Sequence, residues 1–174
     1  MNHDTPIDKN KINKLNEVYC KNIVIKEEII EKVNNFFKQN FIGKTLGVQY
    51  RYTDKIKEVE QISPQKFINL IKNIIEDYDT IYLATDYQPV VDELSKYSEK
   101  IKYYNTQRSS NSIGSHFLKT NRQYDNYLKG YECLVDVLLL SKCNDYYYSK
   151  SNISLLPLII NNMSYDYIKL INKV

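Results

Sequence analysis

Short β-prone runs alternate about five times with amphipathic helical stretches along this chain, and no other feature of the sequence restricts its fold so strongly. Residues 25–41 place Ile25, Ile29, Ile30, Val33, Phe36 and Phe37 at helical spacing with charges between them, and Gly43 ends that helix. The run TLGVQYRY, residues 45–52, reads as a strand, and residues 53–62 read as a polar loop. Ser63 followed by Pro64 is a helix start, with Phe67, Ile68, Ile71, Ile74 and Ile75 as the apolar stripe. Residues 81–85 are a continuous apolar run entering Asp86, the pattern of a strand buried on both faces of a parallel sheet. A helix from Pro89 follows, carrying Val90, Val91 and Leu94 inward, and residues 101–104 form a third short strand.

A polar loop over 105–121 separates that strand from an apolar helix over 124–142. A strand over 145–149, a helix over 152–160 started by Ser151, and a last strand over 167–171 complete the pattern. Strict alternation demands a mostly parallel sheet covered on both faces, so the expected fold is α/β, a doubly wound Rossmann-like sheet of about five strands. Residues 1–22 read as a polar N-terminal segment and residues 23–174 as a single domain, a size the 43% apolar content can fill with one core. In such sheets a ligand lies beyond the carboxyl ends of the strands, near the reversal of strand order, which directs attention to the loops after each strand.

Composition narrows the ligand class. Lys and Arg number 24 against 21 Asp and Glu, a net charge of +3 that supplies no broad cationic face for a nucleic acid. Three cysteines without CxxC spacing argue against a zinc site or a disulfide framework. The N-terminus has no apolar signal region and no apolar run approaches bilayer length, so a soluble, cytoplasmic protein is expected. Neither GxGxxG nor GxxxxGK[ST] occurs.

Within the strand-end loops, Arg51 offers a permanently charged planar fork suited to a phosphate, with Lys55 close behind; a structural ion pair is the alternative use of such an arginine. Ser149 to Asn152 lie between a strand and a helix start, where free amides favour an anion, or where Ser151 serves as an ordinary cap. Asp136 interrupts the apolar run Leu134 to Leu140 and needs a partner there: a guanine N1–H and N2–H pair, or a nearby cation. His116 is the only histidine beyond the N-terminal segment and falls in the 105–121 loop.

The strings GVQYRYTDK, IYLATDYQPVVDELSKY and YLKGYECLVDVLLLSKCNDYYYSKSNIS, with Arg108, Ser109 and SHF between the last two, resemble in order and spacing the donor-binding half of GDP-fucose-dependent fucosyltransferases. The α1,6- and nodulation fucosyltransferases are the nearest in pattern, with protein O-fucosyltransferases more distant. The resemblance covers residues 43–161 and implies a single GT-B-type donor half that takes a GDP-sugar as substrate and transfers fucose with inversion, requiring no metal or other cofactor. It implies that Arg51 contacts the donor pyrophosphate with help from Lys55, that Asp136 reads guanine, and that Ser151, Asn152 and Asp86 line the donor site; His116 is a further candidate for binding the donor, a histidine in a polar loop being more often simply exposed.

Departures accompany these matches. Gln49 stands where the family has a histidine near guanine, Tyr52 where it has a second Arg or a Gly, and Tyr87 where it has a second Asp. The family's general base aligns near Val59, so Glu58 and Glu60 become the candidates for that role. The glycan or protein acceptor is expected to be held by an oligomer, a partner chain or the 105–121 loop, and a non-catalytic nucleotide- or glycan-binding relative is the alternative.

Overall fold

A computed structural model of the chain describes residues 8–53, 61–111, 113–114, 117–118 and 121–173, with Lys173 described by its backbone alone. Among them are five strands, β1 (Thr45–Tyr50), β2 (Thr80–Thr85), β3 (Ile101–Lys102), β4 (Asp145–Tyr148) and β5 (Tyr167–Leu170), and helices α1 (Lys9–Asn22), α2 (Glu27–Asn40), α3 (Pro64–Ile74), α4 (Gln88–Tyr97), α5 (Asp125–Leu140) and α6 (Leu155–Ile160). The strands form one sheet in the order β3-β2-β1-β4-β5. Every pairing is parallel. The chain builds β1 to β3 in one direction and then returns to place β4 on the free side of β1, so strand order reverses between β1 and β4. That junction is where the carboxyl ends of the strands open a crevice.

Strand periodicity sorts the two cores. Leu46, Val48 and Tyr50 of β1, Ile81 and Leu83 of β2 and Tyr147 of β4 point to one face, where they meet Phe67, Ile68 and Ile71 of α3 and Val90, Val91 and Leu94 of α4. Tyr82, Ala84, Tyr146 and Tyr148 point to the other, against Ile29 and Val33 of α2, Val135, Leu138 and Leu139 of α5 and Leu158 of α6. Burial on both faces explains why β1, β2 and β4 are buried along their whole length. Gly47 lies close under the second face: a Cβ there would stand 3.0 Å from Cys143 Sγ and 3.2 Å from Leu140 Cδ2, so those side chains would have to give by a few tenths of an ångström.

Local chemistry explains the element ends. Ser63 Oγ accepts from Lys66 N at 3.4 Å with Pro64 in the first helical turn, as its sequence indicates. Gly43 takes a left-handed φ of 55° between α2 and β1, where a Cβ would stand 2.0 Å from Asp79 Oδ2.

Several elements differ from the sequence expectation, and β1 stops at Tyr50 instead of Tyr52. The polar N-terminal segment contains α1, tied to α6 by Asn16 Nδ2 donating to Ile159 O at 2.8 Å and by buried Ile12. β3 stops at Lys102 instead of 104. The sixth helix begins at Leu155 with Ser154 as its cap residue, so Ser151 does not start it. Ser151 instead closes the turn before the helix: its Oγ accepts from Ser154 N at 3.3 Å and its carbonyl from Ser154 Oγ at 2.6 Å.

Candidate functional site

The site is assembled at the reversal between β1 and β4, and Ser149 is its stitch. Ser149 N donates to Gln49 O at 2.9 Å, continuing the β1–β4 ladder one residue beyond the strand. Its hydroxyl accepts from Arg51 N at 2.8 Å and lies 3.2 Å from Gln49 Oε1. The end of β1 is thereby fixed to the end of β4, and Arg51 leaves the sheet at a defined point.

Asp86, at the end of β2, organises the loop that follows Arg51. Its Oδ1 accepts from Tyr52 N at 2.9 Å and its Oδ2 from Thr53 Oγ1 at 2.6 Å. Arg51 Nε stands 3.3 Å from the same Oδ2, between side chains that are 23% and 8% exposed. The structural ion pair considered for Arg51 therefore exists, and Asp86 acts on the cleft through Arg51 and its loop. Tyr52 and Tyr87, which depart from the family pattern, pack against each other with ring centroids 5.0 Å apart. An aromatic contact joins the two loops at those positions.

Asp136 is half-buried on the inner face of α5, and its Oδ1 accepts from the Tyr82 hydroxyl at 2.5 Å. Neither a lysine nor an arginine pairs with it among the described residues; Oδ2 accepts no hydrogen bond there. Burial raises this carboxyl to about 7, against the lowering effects of the Tyr82 hydrogen bond and the nearby Arg108 charge, while Glu132 raises it further. Burial likewise pushes the Cys133 thiol up to about 11, which leaves it an un-ionised neighbour at neutral pH.

Gln49, Arg51, Asp86 and Asp136 all line one cleft, together with Gln107, Glu132, Cys133 and Ile153. Of the sequence candidates, those four are brought together. The turn carrying Ser151 and Asn152 adjoins them through Ser149 and Ile153. The amides of Ser151, Asn152 and Ile153 donate to no acceptor among the described residues, whereas Lys150 N donates to Asn172 Oδ1 at 2.6 Å. Lys55, Glu58, Glu60 and His116 lie outside the described residues.

Sequence reasoning missed Tyr82 and Arg108. Tyr82 looked like one more apolar residue of a buried strand; only its alternation to the α5 face, together with the unexplained Asp136, signals a hydroxyl partner. Arg108 stands within the resemblance but received no role from it, since three carbonyls from two separate segments define its place: Nε donates to Thr85 O at 3.1 Å, Nη1 to Thr106 O at 3.2 Å and Nη2 to Tyr104 O at 2.6 Å.

No family model matches the chain, and no curated protein is significantly similar to it. Solved structures are. The α1,6-fucosyltransferase NodZ co-crystallised with GDP matches with a TM-score of 0.55 at 15% identity, covering 83% of this chain and 44% of that one. NodZ soaked with GDP-fucose gives 0.56 at 15% identity, covering 83% and 45%, and NodZ from Bradyrhizobium gives 0.53 at 15% identity, covering 83% and 44%. The fold is fucosyltransferase-like. The chain spans less than half the length of these structures, and at 15% identity the likeness is one of fold. Among the described residues no helix is long and apolar enough to cross a membrane.

Proposed function

We propose that this chain is the donor-binding half of a glycosyltransferase that takes a GDP-sugar, GDP-fucose by its resemblance, and passes the sugar to a hydroxyl of a glycan or protein. The observation that carries this reading is the cleft at the strand reversal, which holds the Arg51 guanidinium and the open Oδ2 of Asp136 together. A carboxylate accepting from guanine N1–H and N2–H accounts for a charge that an apolar helix otherwise has no reason to carry. Arg51, held by Asp86 and Ser149, is suited to the diphosphate, and the amides of Ser151, Asn152 and Ile153 offer further donors to the same anion.

In the proposed reaction the acceptor oxygen bonds to the anomeric carbon from the face opposite the diphosphate. The bond from that carbon to the β-phosphate oxygen breaks, and its electron pair leaves with GDP. Arg51 offsets the charge that develops there, with Lys55 assisting, and no metal is assigned a part. The acceptor proton passes to a general base, for which Glu58 and Glu60 are the candidates. An oligomer, a partner chain or the 105–121 loop is proposed to hold the acceptor, because transfer needs the hydroxyl held against the sugar.

Calorimetry with GDP and GDP-fucose against UDP and ADP tests the reading. Guanine nucleotides should bind, the others should not, and Arg51→Ala or Asp136→Ala should weaken GDP binding about tenfold or more. Equal binding of all four nucleotides would sink it. A second reading, a nucleotide- or glycan-binding relative that transfers nothing, draws support from Asp86, whose carboxylate is engaged by the Arg51 loop. Sugar transfer or release from GDP-fucose by the purified protein excludes that alternative.

A further inference from the structure

We propose that Tyr82 and Arg108 are positioning residues for nucleotide recognition, holding the Asp136 carboxylate in the orientation and charge state that a guanine edge requires. This rests on the donor reading above and adds the means by which the site sets its own pH range.

The geometry divides the work. Tyr82 is fully buried in β2, and its single hydroxyl proton engages only Oδ1 of Asp136, at 2.5 Å. One donor fixes the carboxylate plane and leaves Oδ2 open, whereas a bidentate arginine would occupy both oxygens and close the edge a purine must use. Arg108 is the nearby arginine, and it is prevented from doing that. Its guanidinium is clamped by the carbonyls of Thr85, Tyr104 and Thr106, with the Tyr103 ring centroid 5.3 Å from its Cζ. It therefore supports the negative charge of Asp136 through its field without an ion pair. The clamp also links the end of β2 to the loop after β3, which walls the same cleft through Thr106 and Gln107.

The other charged and titratable groups around Asp136 are accounted for. Glu132, one turn earlier on α5, opposes ionisation, but it accepts from Gln107 N at 3.2 Å and pairs with Arg122. Cys133 is un-ionised at neutral pH. Arg51 and Asp86 lie across the cleft as a pair, and Lys129 is engaged by Asp125 at 2.7 Å. Tyr82 and Arg108 are thus the two groups that favour the charged carboxylate against burial.

Only the ionised carboxylate accepts from both N1–H and N2–H, so GDP should bind more tightly as pH rises through about 7. Tyr82→Phe removes one hydroxyl and keeps the ring. Calorimetric GDP binding from pH 5.5 to 9 should show the midpoint moved upward by roughly one unit, with affinity at the alkaline end returning to within a few fold of the parent. Comparing variants at each pH cancels titration of the nucleotide itself. Arg108→Gln should move the midpoint in the same direction and carries the test should Tyr82→Phe not fold.

Carboxyl carbon NMR of the ligand-free protein, with the Asp136 signal assigned through Asp136→Asn, follows the same ionisation with no nucleotide present. An upward midpoint in that titration, with a guanine preference in the parent protein, supports the inference; an upward midpoint without that preference shows that Tyr82 and Arg108 hold the Asp136 charge but overturns the donor reading and, with it, their part in nucleotide recognition. An unchanged midpoint in both titrations, or a loss of GDP binding equal at every pH, overturns the inference.

Discussion

Asp136 illustrates how one residue can serve a site and weaken the fold that carries it. Its carboxyl ionises near 3.8 in an unfolded chain and near 7 in the native protein. The unfolded state therefore releases its proton first, and the native state loses stability as pH rises from about 4 to 7. Asp136→Asn removes that penalty while still able to accept from Tyr82. Denaturant unfolding should find its stability advantage over the parent growing by roughly 2–3 kcal/mol between pH 4 and pH 8, a figure reduced for the partial exposure of the carboxylate. An advantage that is flat with pH would show that burial does not perturb this group. The sequence exposed Asp136 because a charge in an apolar helix is conspicuous. Tyr82 escaped notice because a tyrosine in a strand of a chain with 17 tyrosines is not.

At the scale of elements, the site depends on how strand ends are tied. β1 and β4 pair in parallel up to Gln49 and Tyr148, and Ser149 carries the connection past the last pair to Arg51 N and Gln49. Ser149→Ala leaves the Arg51 amide without its side-chain acceptor in a buried setting. It should lower unfolding free energy by about 1–3 kcal/mol and also weaken GDP binding, which denaturant titration and calorimetry measure separately. Stability loss with unchanged binding would mean that Arg51 reaches the cleft without this tie. Strands and helices were legible because short continuous β-prone runs alternate along the chain with stretches whose apolar residues recur at the helical period. The start of α6 was not: Ser151 and Ser154 are both credible caps, and the turn between them resolves the choice through their mutual hydrogen bonds.

For the whole molecule, the five-stranded parallel sheet and its reversal between β1 and β4 create a cleft that no single segment contains. Ligand binding there should stabilise the entire domain. GDP at about a hundred times its dissociation constant contributes roughly 2.7 kcal/mol, which should raise Tm by about 5–10 °C in a chain of this size, while UDP at the same concentration leaves it in place. Equal shifts with both nucleotides would point to the phosphates alone. Alternation of strand-like runs with amphipathic helices was enough to fix the α/β class, because it permits few other layered solutions. The sequence also marked Arg51 as a strand-end guanidinium suited to a phosphate and Asp136 as a charge in an apolar helix that requires a partner, while Asp86 entered through the family resemblance. Tertiary structure alone decided the partners: Asp86 for Arg51 and Tyr82 for Asp136, brought together from 35 and 54 positions apart by sheet order and by the packing of α5 on the face that carries Tyr82. Hydrogen bonds and buried charges are fixed by distances in space, and spacing along a chain carries that information only within an element.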